Sequence, residues 1–317
     1  MRNIDELPID IPSSPLSSTS WEIRPSPGKG LGVFAKSPIR TGQRIMVEAP
    51  LFAITPPQFV PGKGYELSAM AASVDAAVAS LSPADRNVFH SCHAHYLPGE
   101  AAATEEPGSG ADMRRNRNMV IFRSNAYTLT NGSVAMFPQI ARINHACRPN
   151  AANVWSAASD RRIIWAARDI AAGEEVTVTY APLLKARSDR QARLAPYGFT
   201  CDCEACRDND PEGTDRSRVR MGRLLAELEE RLAQSTSGAA NKRLLPKALE
   251  LVQLLEKEHM MDYLPNAYHL AAELAHRMED SAAAMTWSEK ALQLHRHADE
   301  ISHAAMGEQS YLDRVRM

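Results

Sequence analysis

No apolar run in this chain of 317 residues is long enough to span a bilayer, so no α-helical membrane span is expected within it. A surplus of positive charge is also missing. The 36 Lys and Arg against 38 Asp and Glu leave a formal charge of −2, which argues against a dedicated nucleic-acid binder. The opening stretch, MRNIDELPIDIPSSPLSSTS, lacks the apolar core of a signal peptide. An intracellular, reducing compartment is therefore expected, nucleus or cytoplasm. Cysteine is scarce, at five residues, and three of the five crowd into positions 201–206. In a reducing compartment such a cluster binds metal or does chemistry rather than pairing as disulfides.

What is present is a 44% apolar chain, enough for one large domain or a domain with an appendage. Residues 1–20 are rich in Pro and Ser and read as a disordered tail. From Trp21 to Phe52, short apolar stretches punctuated by Gly and Pro predict small antiparallel strands. Residues 65–97 turn helical, with Ser82 as an N-cap and Pro83 at the first helical position. A polar Gly/Pro loop follows. Short strands then return in NVW, RRIIWAARDI and EVTVTY, separated by SAASD and AAGE. The β-rich part is thus split by a helical insertion at about 64–115.

After Cys206 comes a charged linker, RDNDPEGTDRSR, and then helical periodicity. Met221, Leu224, Leu225, Leu228 and Leu232 share a stripe. So do Leu245, Ala248, Leu251, Val252 and Leu255, and later Leu270, Ala271, Leu274 and Met278. A last helix carries Trp287, Ala291 and Leu294. These predict a C-terminal helical region over 216–317 without a visible 34-residue repeat.

The spacing Cys201-x-Cys203-x2-Cys206 converges three thiolates on one ion. A tetrahedral zinc needs a fourth ligand: a water would make the site catalytic, and another cysteine would close it. Asn144–His145 with Cys147 close behind, in RINHACRPNA, is too polar for a core strand. Cys92, near His90, His93 and His95, invites a second metal site. On a helix, however, Val88, Cys92 and Tyr96 would share a face and His93 would point elsewhere, so a half-buried helix cysteine is expected.

The ordered set GKGLGVFA (28–35), SNAYTL (124–129), RINHACRPN, GEEVTVTY (173–180) and YGFTCDCEAC (197–206) resembles the SET-domain protein lysine methyltransferases. It is most similar to the SET-and-MYND class and the shorter fungal-type SET proteins. The motifs cover residues 21–206. The resemblance implies an α+β fold: a β-rich SET domain of short strands with a pseudoknot-like crossing over 21–200, a zinc-binding post-SET segment at 201–206, and the C-terminal α-helical region. It implies transfer of a methyl group from S-adenosylmethionine to a lysine of a protein substrate.

On that resemblance Lys29, Gly30 and Leu31 form the Gly-rich turn at the cofactor. Asn125, Asn144 and His145 supply further contacts, and Phe199 stacks on adenine. Tyr180 is the catalytic tyrosine, acting by hydrogen bonding because a phenol's pKa near ~10 makes it a poor base at neutral pH. Tyr127 and Tyr197 line the lysine channel. Cys147 joins Cys201, Cys203 and Cys206 around one structural Zn2+.

This sequence departs from the pattern in three places. Ala146 replaces the usual serine after Asn-His, and Leu31 replaces a basic residue. The MYND finger is missing, since residues 53–115 hold one cysteine. The competing class is a non-catalytic SET scaffold that binds protein partners through its C-terminal helices. Retention of Tyr180, Asn144 and His145 favours the enzyme.

Overall fold

The computed structural model describes residues 20–62, 64–97, 110–207, 211–234 and 238–317. The expected disordered tail lies outside them but for Ser20, as does most of the polar loop after residue 97.

Strands β1 (Trp21–Ser26) and β2 (Gly30–Ala35) form an antiparallel hairpin. Its turn works because Gly28 and Gly30 adopt φ of +73° and +77°, where a side chain would be strained. Strands β3 (Arg44–Glu48) and β4 (Phe52–Ile54) follow. The insertion supplies α1 (Leu67–Ser80), α2 (Pro83–His90) and α3 (Gly110–Asn125). The Ser82 side chain accepts from the Asp85 N–H with Pro83 in the first turn, as the sequence predicts. The third helix carries the insertion past its expected limit near residue 115 and runs straight into β5 (Ala126–Thr128).

The remaining strands are β6 (Val134–Met136), β7 (Asn144–His145), β8 (Ala151–Ser156), β9 (Arg161–Ala166) and β10 (Glu175–Val178). They form three small sheets, ordered β1-β2-β10-β7, β3-β9-β8 and β4-β6-β5. The first positions the site. β10 lies between β2, antiparallel with Val176 opposite Val33, and β7, parallel with Val178 opposite His145. One strand thereby brings the Gly-rich hairpin and the Asn-His pair together.

Two corrections follow. Cys92 is not on a helix. α2 ends at His90, where Arg117 donates to the His90 carbonyl and Arg142 to the Ser91 carbonyl and hydroxyl. These guanidiniums satisfy carbonyls that further turns would have used. Cys92 is buried beside Phe89, Ile121 and Phe122, while Val88, its supposed face-mate, is exposed. Nor is residue 207–218 a plain linker: helix α6 (Pro211–Ala233) begins at Pro211. The stretch is polar, but its Arg218 is fully buried and pairs with Glu258 at 3.4 Å.

Helices α7 (Gly238–Lys257), α8 (Leu264–Arg277), α9 (Ser281–Ala298) and α10 (His303–Arg316) complete the chain, after α4 (Arg187–Leu194) and α5 (Glu204–Arg207). The predicted stripes face inward: Met221, Leu224, Leu228, Leu251, Leu255 and Leu274 are all fully buried. They are more than an appendage, since their core also contains Cys147, Cys201 and Cys206. Arg148 adds a polar tie, reaching Glu204 at 3.1 Å and Glu258 at 2.7 Å.

Candidate active site and metal centre

The β2–β10–β7 junction carries a polar network. Asn144 Nδ2 donates to the Leu31 carbonyl at 3.0 Å and to Glu175 Oε1 at 2.7 Å. Lys29 Nζ meets Glu175 Oε2 at 3.2 Å. Glu175 thus ties the turn to the Asn-His strand. The close approach happens at Gly32 rather than Gly30. A Cβ at Gly32 would overlap Glu175 Oε1 and lie 3.0 Å from Asn144 Nδ2, whereas the one built at Gly30 meets open space. Gly30 is required for its positive φ, and Gly32 for its missing side chain.

His145 is 3% exposed and linked at both ring nitrogens. The Tyr180 N–H donates to Nδ1 at 2.9 Å, and Nε2 lies 3.3 Å from Cys147 Sγ. An accepting Nδ1 places the proton of a neutral ring on Nε2, aimed at the sulfur. Burial pushes the His145 pKa down to about 4, with nearby Arg190 and Lys29 adding to the effect against the opposing pull of Cys203. The ring is therefore neutral at physiological pH.

Tyr180 lies two residues beyond the end of β10. Its hydroxyl donates to the Ile143 carbonyl at 2.5 Å. Burial, with Tyr127, Tyr197 and Glu175 close by, holds its pKa well above the ordinary value, so it stays a phenol. The Tyr197 ring centroid is 5.2 Å from that of Tyr180, and Phe199 is 6.3 Å from His145. Tyr127 packs edge-on against Phe137 at 6.0 Å, with the Arg162 guanidinium 4.4 Å over its ring. Burial raises its pKa also. The structure thus gathers Tyr127, Tyr180, Tyr197, His145 and Phe199. Asn125 is committed elsewhere: its Nδ2 donates to the His93 carbonyl at 2.6 Å and the Ile121 carbonyl at 2.7 Å.

The ligand atoms of Cys147, Cys201, Cys203 and Cys206 all lie within 4.8 Å of one another, and this is the only such group of metal-ligating side chains among the described residues. Cys147 Sγ is 4.0 Å from Cys201 Sγ and 3.6 Å from Cys206 Sγ. Four sulfurs bound tetrahedrally at ~2.3 Å from zinc would be about 3.8 Å apart, so the set fits. Hydrogen bonds from Cys147, Cys201 and Cys206 hold Cys203 far below its ordinary pKa, while the same contacts push Cys147 far up.

The surroundings support an anionic cluster. Arg190 is 1% exposed, and its Nε and Nη2 have no hydrogen-bond partner among the described residues. Burial works to lower its pKa, but Cys147 and Cys206 hold it above the ordinary value. Arg190 Nη1 pairs with Asp215 Oδ1 at 3.2 Å, and a thiolate cluster would add a second anionic partner for this buried cation. Four thiolates around a dication would supply a net charge of about −2. Gln191 braces the loop, donating to the Cys201 carbonyl at 2.7 Å and accepting from the Cys201 N–H at 2.9 Å. Sequence reasoning missed Gly32, Glu175, Arg190 and Gln191. Gly32 left a signal as the third glycine of GKGLG, and Glu175 as the second acid of GEEVTVTY.

Residues 30–181 match the SET domain family. The histone-lysine N-methyltransferase set5 of Schizosaccharomyces pombe is 30% identical over 195 residues, 61% of this chain and 52% of that protein. The histone-lysine N-methyltransferase SMYD3 of Homo sapiens is 33% identical over 94 residues, 28% of this chain and 22% of that one. The human N-lysine methyltransferase SMYD2 is 35% identical over 91 residues, 28% and 20% of the two chains. The chain thus spans about half the length, or less, of these curated relatives. A crystal structure of the SET domain of LSMT bound to lysine and AdoHcy covers 95% of this chain and 87% of that one, at 14% identity and a TM-score of 0.38, too distant to bear on the site. With β2, β7 and β10 joined as described and the family match spanning all three, residues 30–181 carry a SET domain, similar to those of set5 and the SMYD proteins.

Proposed function

We propose that this protein is an S-adenosylmethionine-dependent protein lysine N-methyltransferase with one structural zinc ion. The observation that carries the reading is the convergence of three separated stretches, 29–32, 143–147 and 175–206, around His145 and Tyr180. S-adenosylmethionine, when bound, supplies an electrophilic methyl group on a sulfonium. Lys29, Gly30 and Leu31 border its binding site together with Asn144, the His145 backbone and Phe199. Asn125 borders it only through its carbonyl oxygen, since its amide nitrogen is engaged.

The acceptor lysine must arrive neutral and in line. Tyr127, Tyr180 and Tyr197 offer it an apolar wall, and desolvation lowers an amine's pKa. The Tyr180 O–H donates a hydrogen bond to the Ile143 carbonyl, which leaves oxygen lone pairs to orient the amine. It does not act as a base, because its pKa is held high. Alignment supplies much of the acceleration. Cys147, Cys201, Cys203 and Cys206 hold zinc in a closed site. The metal has no reacting role there; it fixes the segment that carries Tyr197 and Phe199 to the one that carries Asn144 and His145.

The organisation we propose is a SET domain over 21–200, a post-SET zinc segment over 201–206 and a helical region from 211 onward that could also receive protein partners. The protein acts inside the cell, nucleus or cytoplasm, where thiols stay reduced. Radiolabelled S-adenosylmethionine incubated with a cell protein extract tests the reading, with Tyr180→Phe as the control. Label on lysine, absent with the variant, is the expected result. Absence of transfer by a protein that binds the cofactor would overturn the enzymatic reading in favour of a scaffold.

A further inference from the structure

Among the described residues the histidines of the insertion form no metal-ligating group, but one of them reaches the Tyr197–Phe199 loop. Gly198 sits between Tyr197 and Phe199 and adopts the left-handed conformation, φ +81° and ψ 17°. A Cβ built there would overlap the imidazole of His95, with its Nε2 only 2.6 Å away. The His95 ring therefore lies directly against the backbone of the loop that presents both aromatic residues.

This contact is not a chance touch of a loose side chain. The His95 N–H donates to Ser124 Oγ at 3.1 Å, and Arg123 Nη2 donates to the His95 carbonyl at 3.0 Å. Asn125 Nδ2 fixes the His93 carbonyl two residues earlier. The His93 ring stands nearly parallel to His95, 6.4 Å away and inclined by 15°. The anchoring side chains all sit at the end of α3, two to four residues before Tyr127 in β5. The insertion thus holds the acceptor-channel tyrosine by its chain and the Tyr197–Phe199 loop by an imidazole.

We propose that His95 is a positioning residue for the cofactor side of the pocket: its ring buttresses the Gly198 backbone so that Phe199 and Tyr197 keep their place. The inference rests on the methyltransferase reading, in which Phe199 borders the cofactor. It also explains the glycine. Any side chain at 198 would take the space of the imidazole, and the positive φ already disfavours one.

Calorimetric titration with S-adenosylhomocysteine tests this without any acceptor. His95→Ala should weaken binding at least threefold, with zinc content and melting temperature unchanged. His95→Phe, which keeps a planar ring, should restore affinity to within twofold of wild type. Gly198→Ala should weaken binding in the wild-type background, and less so when combined with His95→Ala, because the two changes compete for one space. Unchanged affinity in His95→Ala would overturn the buttress. So would equal losses in His95→Ala and His95→Phe, or a loss accompanied by falling zinc content. Wild-type protein that binds no S-adenosylhomocysteine would instead sink the methyltransferase reading, and the buttress with it.

Discussion

Replacing Gly32 by alanine should weaken cofactor binding although the change is conservative and the strand tolerates alanine. Gly32 has no positive φ, so backbone strain plays no part. On conformational entropy alone, Gly→Ala would stabilise by about 0.4–1 kcal/mol. Against this, the new methyl would overlap Glu175 Oε1 and crowd Asn144 Nδ2 at 3.0 Å. The carboxylate must move, which breaks the 2.7 Å Asn144–Glu175 bond. A hydrogen bond to a charged acceptor is worth about 1.5–3 kcal/mol. The Lys29–Glu175 pair, with the lysine a third exposed, adds about 0–1 kcal/mol. The clash wins by about 0.5–3.6 kcal/mol, which corresponds to a loss of affinity of about 2- to 400-fold if Asn144 must keep its position for binding. Calorimetry with S-adenosylmethionine measures it, with zinc content as the control for folding. Wild-type affinity in Gly32→Ala would refute the claim that this network sets the cofactor site.

Tyr180→Phe should lower kcat by about 10²–10³, the usual cost of one oriented hydrogen-bonding group at a reacting centre, with cofactor affinity within twofold of wild type; single-turnover transfer reads both. Cys147→Ser should cut bound zinc, measured by elemental mass spectrometry, from one ion per chain to a small fraction, because a serine hydroxyl stays protonated at neutral pH; full occupancy would make another group the fourth ligand. His297 gives a pH prediction. Burial, with Arg44 nearby, lowers its pKa from 6.5 to about 4. Between those values the unfolded chain binds the proton and the folded one resists it, so stability falls as pH drops from 6.5 towards 4, by about 3 kcal/mol at most. Above 6.5 the group contributes no slope. Melting curves of His297→Gln should be flatter over that interval, and an unaltered pH profile would remove His297 from the account.

Local patterns were readable where the chain's own periodicity decides the outcome. The helical stripes through Leu224, Leu251 and Leu274, and the Ser82 cap, depend on neighbours in sequence. So does the C-x-C-x2-C run. The proximity of Cys147 to it came from family resemblance, and the coordinates place its sulfur there. What could not be read was set by distant partners. Nothing near residue 90 announces that Arg117 and Arg142 will end α2, so the sequence pattern extends the helix to Cys92, which it does not reach. Glu175 reads as one more strand acid until β2 and β7 flank it. Arg190 reads as a surface charge on a short polar helix until the thiols close over it. Asn125 shows the limit of motif transfer: its surroundings, which no motif encodes, have claimed its amide.

The common core of Cys147, Cys201 and Cys206 with Met221, Leu224 and Leu228 bears on how the molecule comes apart. No seam separates the sulfur cluster from the helices, so heat or denaturant should meet a single cooperative transition rather than two. A version cut at residue 206 would leave apolar side chains bare around the thiols, and isolating the first two-thirds as an autonomous catalyst should yield an aggregating chain instead.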